Sequence, residues 1–199
     1  MNIIYDKIRQ TGIDDSKIIQ DIEHAKETPG FDINLGHNKD NLSLLMTAVY
    51  HGRKELVRYL LSFPGINVNH STYYESIALY YCNEVSILKL LLSRKELDVN
   101  IQSTCLGYEW TGLLEFCYHG REACVRELLL DARVDAFIRD IDGVMAQDVA
   151  LNVGCPGIAK IINNSRYTSL LRIPNKMLLY DIVRMIIEEY VRIIKKKYH

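Results

Sequence analysis

SLLMTAVYHGRKELVRYLL, residues 43–61, carries the pattern that decides the fold of this chain. It predicts a short helix, a tight turn at Gly52 and a second helix, because its apolar residues recur at helical spacing. TGLLEFCYHGREACVRELL, residues 111–129, has the same layout, and Gly120 stands in the place of Gly52. The chain therefore repeats a helix–turn–helix unit.

Two further stretches extend the repeat. ESIALYYCNEVSILKLLL, residues 75–92, lies between the first two copies, and MAQDVALNVG, residues 145–154, begins another. The copies follow at steps of 32, 36 and 34 residues and start at Ser43, Glu75, Thr111 and Met145. Periods of this length belong to arrays in which each unit buries its apolar face against its neighbours. Such an array offers an extended surface to partners, so the repeat favours a binding protein.

The second helix of each copy has an apolar stripe. Its residues follow i, i+1, i+4, i+5 spacing, which places them on one face of a helix. The stripes are Leu56, Val57, Leu60 and Leu61; Ile87, Leu88, Leu91 and Leu92; and Cys124, Val125, Leu128 and Leu129. One helix pair cannot bury such a stripe alone, so we expect the pairs to stack.

Gly52 and Gly120 stand where the end of a helix needs a left-handed residue, which glycine adopts at little cost. The second copy is one residue short when counted back from its Leu run, and Asn83-Glu84 replaces the glycine. Because asparagine also adopts the left-handed cap, we expect a distorted turn there and a retained repeat. Tyr80 and Tyr81 of this copy are predicted to pack between repeats.

Several elements recur in an order typical of one family. An Asp-Gly turn stands at Asp142-Gly143 and, degraded, at Asp40-Asn41, and short Val-Asn endings follow the second helices at Ile66–Asn69 and Leu97–Asn100. With these elements, residues 32–163 resemble ankyrin repeats. The resemblance implies an all-α ankyrin-repeat helical solenoid that binds another protein and is not an enzyme.

The chain is expected to have three parts. Residues 1–31 are predicted to form N-terminal capping helices, and residues 32–163 to form about four degenerate ankyrin-like repeats. Asn163-Asn164-Ser165 is predicted to break the helical pattern. Residues 164–199 are then a separate C-terminal segment.

The C-terminal segment allows three roles. Its helix, predicted from Asn175 to about Lys195, caps the last repeat if Ile158, Ile161 and Ile162 cover its apolar face. Alternatively it recruits a second protein, because LRIPNKM, residues 171–177, resembles the start of the F-box-like segment that ends some poxviral ankyrin proteins. That resemblance implies an adaptor with a ubiquitin-ligase component as a partner. The third role, on a membrane surface, is disfavoured by the acidic pair Glu188-Glu189.

Composition narrows the choice of partners. The net charge is −1, which favours neither nucleic acid nor a membrane. Five cysteines, an odd number, form no CxxC pair and favour free thiols in a reducing compartment. We therefore expect a cytoplasmic or nuclear protein. If it comes from a virus or a bacterium, as in other host-directed ankyrin proteins, it acts in the host cell.

No catalytic motif stands in the sequence: it contains no glycine-rich phosphate loop, no HExxH and no GxSxG. His51 and His119 occupy equivalent places before Gly52 and Gly120. Both are interpreted as polar residues in the last turn of a short helix, where partial positive charge is favourable. We expect no catalytic residue, metal or cofactor.

Aromatic residues mark the predicted binding surface. In ankyrin-like arrays, partners contact the finger-shaped turns and the exposed face of the first helices. The third finger, Ser103–Trp110, is the longest, and Trp110 is the only tryptophan of the chain. Exposed aromatic side chains are typical anchors of protein interfaces. We therefore predict Tyr73, Tyr74, Tyr108 and Trp110 as partner-binding residues, the alternative being that Tyr108 and Trp110 fold back onto neighbouring helices.

Asn69 and Asn100 form a second candidate site. Each follows a leucine by eight residues, Leu61 and Leu92 respectively, within Val-Asn. This resembles the pattern that an iron- and oxoglutarate-dependent asparaginyl hydroxylase modifies in many ankyrin proteins. The alternative is that both side chains only make hydrogen bonds within the fingers.

Overall fold

The structure, a computed structural model, describes residues 2–37, 41–104, 107–170 and 177–197. Within these ranges, side-chain environments are described up to residue 165 and again over residues 184–194. The described part contains ten α-helices and one 3₁₀ turn. They are α1 (Asn2–Arg9), α2 (Asp15–Ala25), α3 (Leu44–Tyr50), α4 (Lys54–Ser62), the 3₁₀ turn (Ala78–Tyr81), α5 (Val85–Leu92), α6 (Gly112–Tyr118), α7 (Glu122–Leu128), α8 (Ala146–Asn152), α9 (Pro156–Leu170) and α10 (Met177–Lys197).

The elements stack in two columns. The first elements of successive pairs, α1, α3, the 3₁₀ turn, α6 and α8, contact one another in chain order. The second elements, α2, α4, α5, α7 and α9, do the same. One continuous apolar core runs between the columns. The prediction of an all-α helical solenoid is confirmed.

The apolar stripes of the second helices form much of this core. All four stripe residues of α4 are buried, as are the first three of the α5 and α7 stripes, whereas Leu92 and Leu129 are half-buried. Leu130 closes the third Leu run in the sequence but is 75% exposed, because α7 ends at Leu128. The predicted face of each second helix is therefore correct.

Side-chain caps begin α3 and α6, the first helices of two pairs. Ser43 Oγ accepts a hydrogen bond from Met46 N at 3.2 Å, and Thr111 Oγ1 accepts one from Leu114 N. A hydroxyl at this position satisfies a backbone donor that the helix cannot pair internally. The short first helices thus begin where the finger ends.

Two of the three predicted left-handed caps are present. Gly52 and Gly120 have φ of 67° and 64°. Asn83 is not among the left-handed residues of the described chain, so it does not form an asparagine cap. The turn is distorted and the repeat is retained, as expected. Where α3 and α6 have seven residues each, the second pair has a four-residue 3₁₀ turn that ends at Tyr81. A 3₁₀ turn rises about 2.0 Å per residue against about 1.5 Å in an α-helix, so it suits the shortened copy.

Arg53 joins the N-terminal pair to the next one. Its guanidinium donates to the backbone carbonyls of Ile8, at 3.2 Å, and Ile13, at 2.6 Å, and forms an ion pair with Asp15. The Asp15 carboxylate also accepts a hydrogen bond from Leu56 N, at the start of α4. The pair α1–α2 therefore stacks on α3–α4 as the later pairs stack on one another.

The predicted break at Asn163-Asn164-Ser165 is wrong. Helix α9 runs from Pro156 to Leu170 without interruption. Asparagine and serine cost only a few tenths of a kcal/mol within a helix, and neither glycine nor proline stands there to stop it. LRIPNKM lies outside the described residues except for Met177, with which α10 begins.

Candidate binding surface

The turns between helix pairs project as fingers. Single backbone bridges close three of them, joining His37 to Leu42, Ser103 to Trp110 and Arg139 to Met145. In the second finger, Thr72 N donates to Ser76 O at 2.9 Å. The third finger is the longest of the three that a bridge closes, as predicted. Its Cys105 and Leu106 lie outside the described residues.

Backbone hydrogen bonds join neighbouring fingers into a row. Thr104 N donates to Tyr74 O at 2.9 Å, and Ile141 N donates to Tyr108 O at 3.2 Å. Ser103 Oγ also donates to Tyr74 O, at 2.8 Å. Because these bonds fix the main chain on both sides of each tip, the aromatic residues of different repeats are held at a set spacing.

The same position in each finger is left-handed, and the third finger has a second left-handed residue at Gly107. Asn41, Glu75, Glu109 and Gly143 have φ of 60°, 60°, 53° and 76°, and each stands two residues before an N-cap. Glycine adopts this conformation freely, whereas another residue loses roughly 1–2 kcal/mol there. Glu75 and Glu109 therefore hold strain directly beside Tyr74 and Trp110, and stored strain of this kind concentrates at functional sites.

Trp110 lies between two tyrosines. Its ring centroid is 5.1 Å from that of Tyr108 and 5.0 Å from that of Tyr118. Its Nε1–H donates to Asp140 Oδ2 at 3.2 Å, and its ring is half-buried against the core. Tyr108 is 42% exposed and Tyr118 is 50% exposed. Trp110 thus packs back onto the repeat, while the tyrosines on either side of it face solvent.

Tyr118 belongs to a ladder that the sequence analysis did not identify. Tyr50, Tyr81 and Tyr118 occupy equivalent places at the ends of the first elements. The rings of Tyr50 and Tyr81 meet edge to face, with centroids 6.2 Å apart. The repeated Tyr-His-Gly at residues 50–52 and 118–120 carries the signal for two of these positions in the sequence.

The two other tyrosines of the second repeat behave differently. Tyr80 is buried between repeats, as predicted, and its hydroxyl donates to Trp110 O at 2.6 Å. Tyr81 is only half-buried and lies on the ladder. Tyr73 and Tyr74 of the second finger are both exposed.

We use the term aromatic surface for two groups of finger and ladder residues, the first lining a common cavity and the second joined by ring contacts. They are Tyr50, Tyr74 and Tyr81, and Tyr108, Trp110 and Tyr118. The backbone bond from Thr104 N to Tyr74 O connects the fingers of the two groups. The surface crosses the fingers and first elements of three successive helix pairs. Three of the four predicted residues belong to it, and Tyr73 extends its edge without a ring contact.

The charge changes along the aromatic surface. Glu75 in the second finger and Glu109 in the third are exposed, and Glu115 Oε1 lies 2.9 Å from His119 Nε2. Arg9 and Arg53 lie near His51, where α3 ends. Burial and these two guanidinium groups lower the pKa of His51, which keeps its imidazole neutral at pH 7.

The repeats match a known family. Residues 18–103 match the family model of ankyrin repeats, in three copies. The chain contains ankyrin repeats. Helices α6 to α9 continue the same two columns beyond the matched range. Ankyrin repeats are generally modules of protein–protein interaction, and their family is a non-enzymatic interaction fold. No curated protein matches the chain significantly.

Asn69 and Asn100 join successive ankyrin repeats. Asn69 Nδ2 donates to Glu96 O, and its Oδ1 accepts from Asp98 N at 2.8 Å. Asn100 makes the same two bonds one repeat later, to Arg133 O at 2.8 Å and from Asp135 N at 2.9 Å. Each amide therefore holds the loop of the next repeat, which gives both residues a structural role.

The described residues hold no group of three or more His, Cys, Asp or Glu side chains placed to bind a metal ion. Burial raises the pKa of Cys82 and Cys117 to about 12, so both thiols stay protonated at neutral pH. Cys124 is buried as well, and Cys155 is half-buried. Over the described ranges, none of the helices is long and apolar enough to cross a membrane.

Proposed function

We propose that this chain binds a partner protein through the aromatic surface. The observation that carries the proposal is the exposed pair of Tyr108 and Tyr118 on either side of Trp110, in a finger that backbone bonds join to its neighbours. Tyrosine and tryptophan supply large contact areas and lose little side-chain entropy on binding. A net charge of −1 supports a protein partner over nucleic acid.

Strain supports the same place. Glu75 and Glu109 keep left-handed backbones although glycine would fit, as Gly143 does in the fourth finger. Their carboxylates flank Tyr74 and Trp110 and are exposed. A partner with basic residues opposite these two glutamates would gain complementary charge, which speeds association and selects the partner.

The test is a pull-down with two double variants. Tyr108→Ala with Tyr118→Ala removes exposed rings and leaves Trp110 in place, whereas Tyr108→Ala with Trp110→Ala also removes a packed residue. We expect both variants to lose the captured protein. The control is Leu130→Ala, which removes an equally exposed apolar side chain outside the aromatic surface.

Circular dichroism separates binding from folding in this test. The Tyr108/Tyr118 variant should keep the helical signal and melting temperature of the parent. If it is folded and still captures the same protein, the aromatic surface is not the binding site. If only the Trp110 variant fails, and it fails by unfolding, Trp110 is a packing residue.

A second candidate is an adaptor that uses α10. The described part of this helix exposes six apolar side chains: Ile186, Ile187, Tyr190, Val191, Ile193 and Ile194. Its described side chains make one ion pair to the repeats, between Arg192 and Asp148 at 3.2 Å. This exposure supports a recruiting role over a capping role for residues 184–194, and a ubiquitin-ligase component is the partner that the sequence resemblance suggests.

Truncation distinguishes the two roles of α10. A chain of residues 1–170 keeps α9 whole. If α10 recruits, the shortened chain should fold, keep its first partner and lose a second set of proteins. If α10 caps, exposed aliphatic surface on the last repeat should cause aggregation or early melting.

Asn69 and Asn100 remain proposed hydroxylation sites. Their amides are engaged between repeats, so modification would need local opening of the loop that follows. Mass spectrometry of the chain incubated with the hydroxylase should show one added oxygen at each site. The host-directed role and the cytoplasmic or nuclear location also stay predictions from composition and resemblance.

A further inference from the structure

A pocket opens at one end of the aromatic surface, between the first and second full repeats. Its volume is about 310 Å³, and α3, the second finger and the 3₁₀ turn form its walls. The lining includes the buried Met46, the tyrosines Tyr50, Tyr74 and Tyr81, and the neighbouring Arg9 and His51. Most of the lining surface is apolar.

The shortened second repeat accounts for the position of the pocket. Thr72, Tyr74 and Ser76 line it before the 3₁₀ turn, and Tyr81 lines it where the turn ends. A seven-residue helix such as α6 would fill more of this layer than a turn of four residues does. The pocket is thus a property of this chain's one irregular repeat.

The size of the pocket limits what it holds. Small-molecule sites span roughly 300–1,000 Å³, so a pocket of this volume lies at the lower limit. Protein interfaces commonly insert a single apolar anchor into a pocket lined by aromatic side chains. One large side chain and its flanking backbone suit the space.

Arg9 gives the pocket its charge. Among the described residues that line it, Arg9 is the one with a full charge at neutral pH. Its described ion pair, to Asp6, is exposed and long, at 3.7 Å from Nη1 to Oδ1. His51 beside it is neutral, since burial and the two arginines lower its pKa. A carboxylate placed next to Arg9 can therefore accept hydrogen bonds from its guanidinium group.

We infer that this pocket binds one apolar side chain of the partner protein, of leucine or phenylalanine size, with an acidic residue beside it that contacts Arg9. The inference rests on the proposed function and specifies the sequence that the partner must present. Apolar burial supplies affinity, and the charge pair selects among apolar anchors.

A random dodecapeptide library displayed on phage tests the inference with the full chain as bait. We expect enriched peptides to share a large apolar residue within two positions of Asp or Glu. A synthetic peptide of this type should bind Arg9→Glu and Tyr50→Ala about tenfold or more weakly than the parent, measured by fluorescence anisotropy. A second selection on Arg9→Glu should enrich Lys or Arg in place of the acid.

Arg58→Glu is the matched control, because it makes the same charge change on an exposed part of α4 outside the pocket. Tyr50→Phe should bind like the parent, since the ring and not the hydroxyl forms the wall. Both variants should keep the parent melting temperature within error, as should Arg9→Glu.

The outcomes separate the inference from the proposed function. Enriched peptides without an acid beside the apolar residue, or peptides that bind Arg9→Glu as well as the parent, overturn the inference. If those peptides instead depend on Tyr108 and Tyr118, the proposed function stands without it. Failure to enrich any peptide also counts against the pocket, whereas the pull-down with the Tyr108/Tyr118 variant still decides the proposed function.

Discussion

Leu128→Ala tests the stacking of the repeats most sharply. Leu128 is fully buried on α7, which packs between α5 and α9. The substitution removes three buried carbons, which costs about 2.4 kcal/mol at about 0.8 kcal/mol each. The cavity that remains adds roughly 1–2 kcal/mol, since both neighbouring helices limit its collapse. We expect a loss of about 3–4.5 kcal/mol in the free energy of unfolding.

Leu130→Ala is the matched control. It is the same substitution two residues later, at a side chain that is 75% exposed. We expect a change below about 0.5 kcal/mol, because an exposed leucine contributes little to packing. Urea titration followed by far-ultraviolet circular dichroism measures both variants, and an unchanged m-value is required for the comparison.

Equal effects of the two substitutions would refute this packing. If Leu128→Ala costs less than about 0.5 kcal/mol, α7 does not face the core with the stripe described above. If Leu130→Ala is as costly as Leu128→Ala, the third Leu run is buried as a whole and α7 does not end at Leu128. Leu91→Ala, on α5, should behave like Leu128→Ala, since its side chain is also fully buried.

Three further predictions concern the connections between repeats, and a fourth concerns the backbone of the third finger. Arg133→Gln should lower the free energy of unfolding by about 1–3 kcal/mol, because the Arg133 guanidinium donates to backbone carbonyls of the preceding repeat. The control, Arg126→Gln, loses only an exposed ion pair on its own helix and should change the free energy of unfolding by under ~0.5 kcal/mol in the same urea titration. The hydrogen bond from Arg133 is the main cause that lowers the pKa of the Asp131 carboxyl in the folded state. Its stabilising contribution is therefore complete above the ordinary pKa of 3.8 and is lost as the pH falls through the folded pKa. Asp131→Asn should flatten the acid side of the curve of stability against pH, measured between about pH 2 and 5. Asn100→Ala should cost about 1–2 kcal/mol, because it leaves two backbone groups of the next repeat without their partner, and a thermal melt should show it. Glu109→Gly should raise the free energy of unfolding by up to about 1 kcal/mol, because glycine relieves the left-handed backbone; an unchanged or lowered value would show that the carboxylate stabilises the finger.

Periodicity made the fold predictable. The spacing of apolar residues in the second helices fixed which faces are buried, and the glycines at Gly52 and Gly120 fixed where the pairs turn. These features are local and recur, so each copy supports the reading of the others. The long third finger followed from the same count.

The failures arose where the chain departs from its own repeat. The residues around Asn83 do not indicate that the copy that is one residue short forms a 3₁₀ turn and not a left-handed cap. The path of α9 through Asn163-Asn164-Ser165 depends on packing over its whole length, which outweighs weak local preferences.

The binding surface was predictable in part. Tyr74, Tyr108 and Trp110 stand in finger sequences, which the resemblance to ankyrin repeats marks as a contact surface. Tyr50, Tyr81 and Tyr118 are recognised only when the copies are aligned and the first elements are seen side by side. The pocket beside Arg9 required the structure, because Arg9 and the second finger are more than sixty residues apart in the chain.

Site-specific photo-crosslinking tests most directly whether the aromatic surface contacts a partner. A benzophenone amino acid is placed at Tyr118, on the aromatic surface, and in a second chain at Leu130, which is exposed outside it. In a lysate of the cells in which the protein acts, the chain labelled at Tyr118 should form a covalent adduct with a partner protein. An excess of the unlabelled parent chain should prevent this adduct, whereas an excess of the Tyr108→Ala/Tyr118→Ala variant should not. An adduct at Leu130 alone, or one at Tyr118 that the double variant prevents equally well, would contradict the proposal.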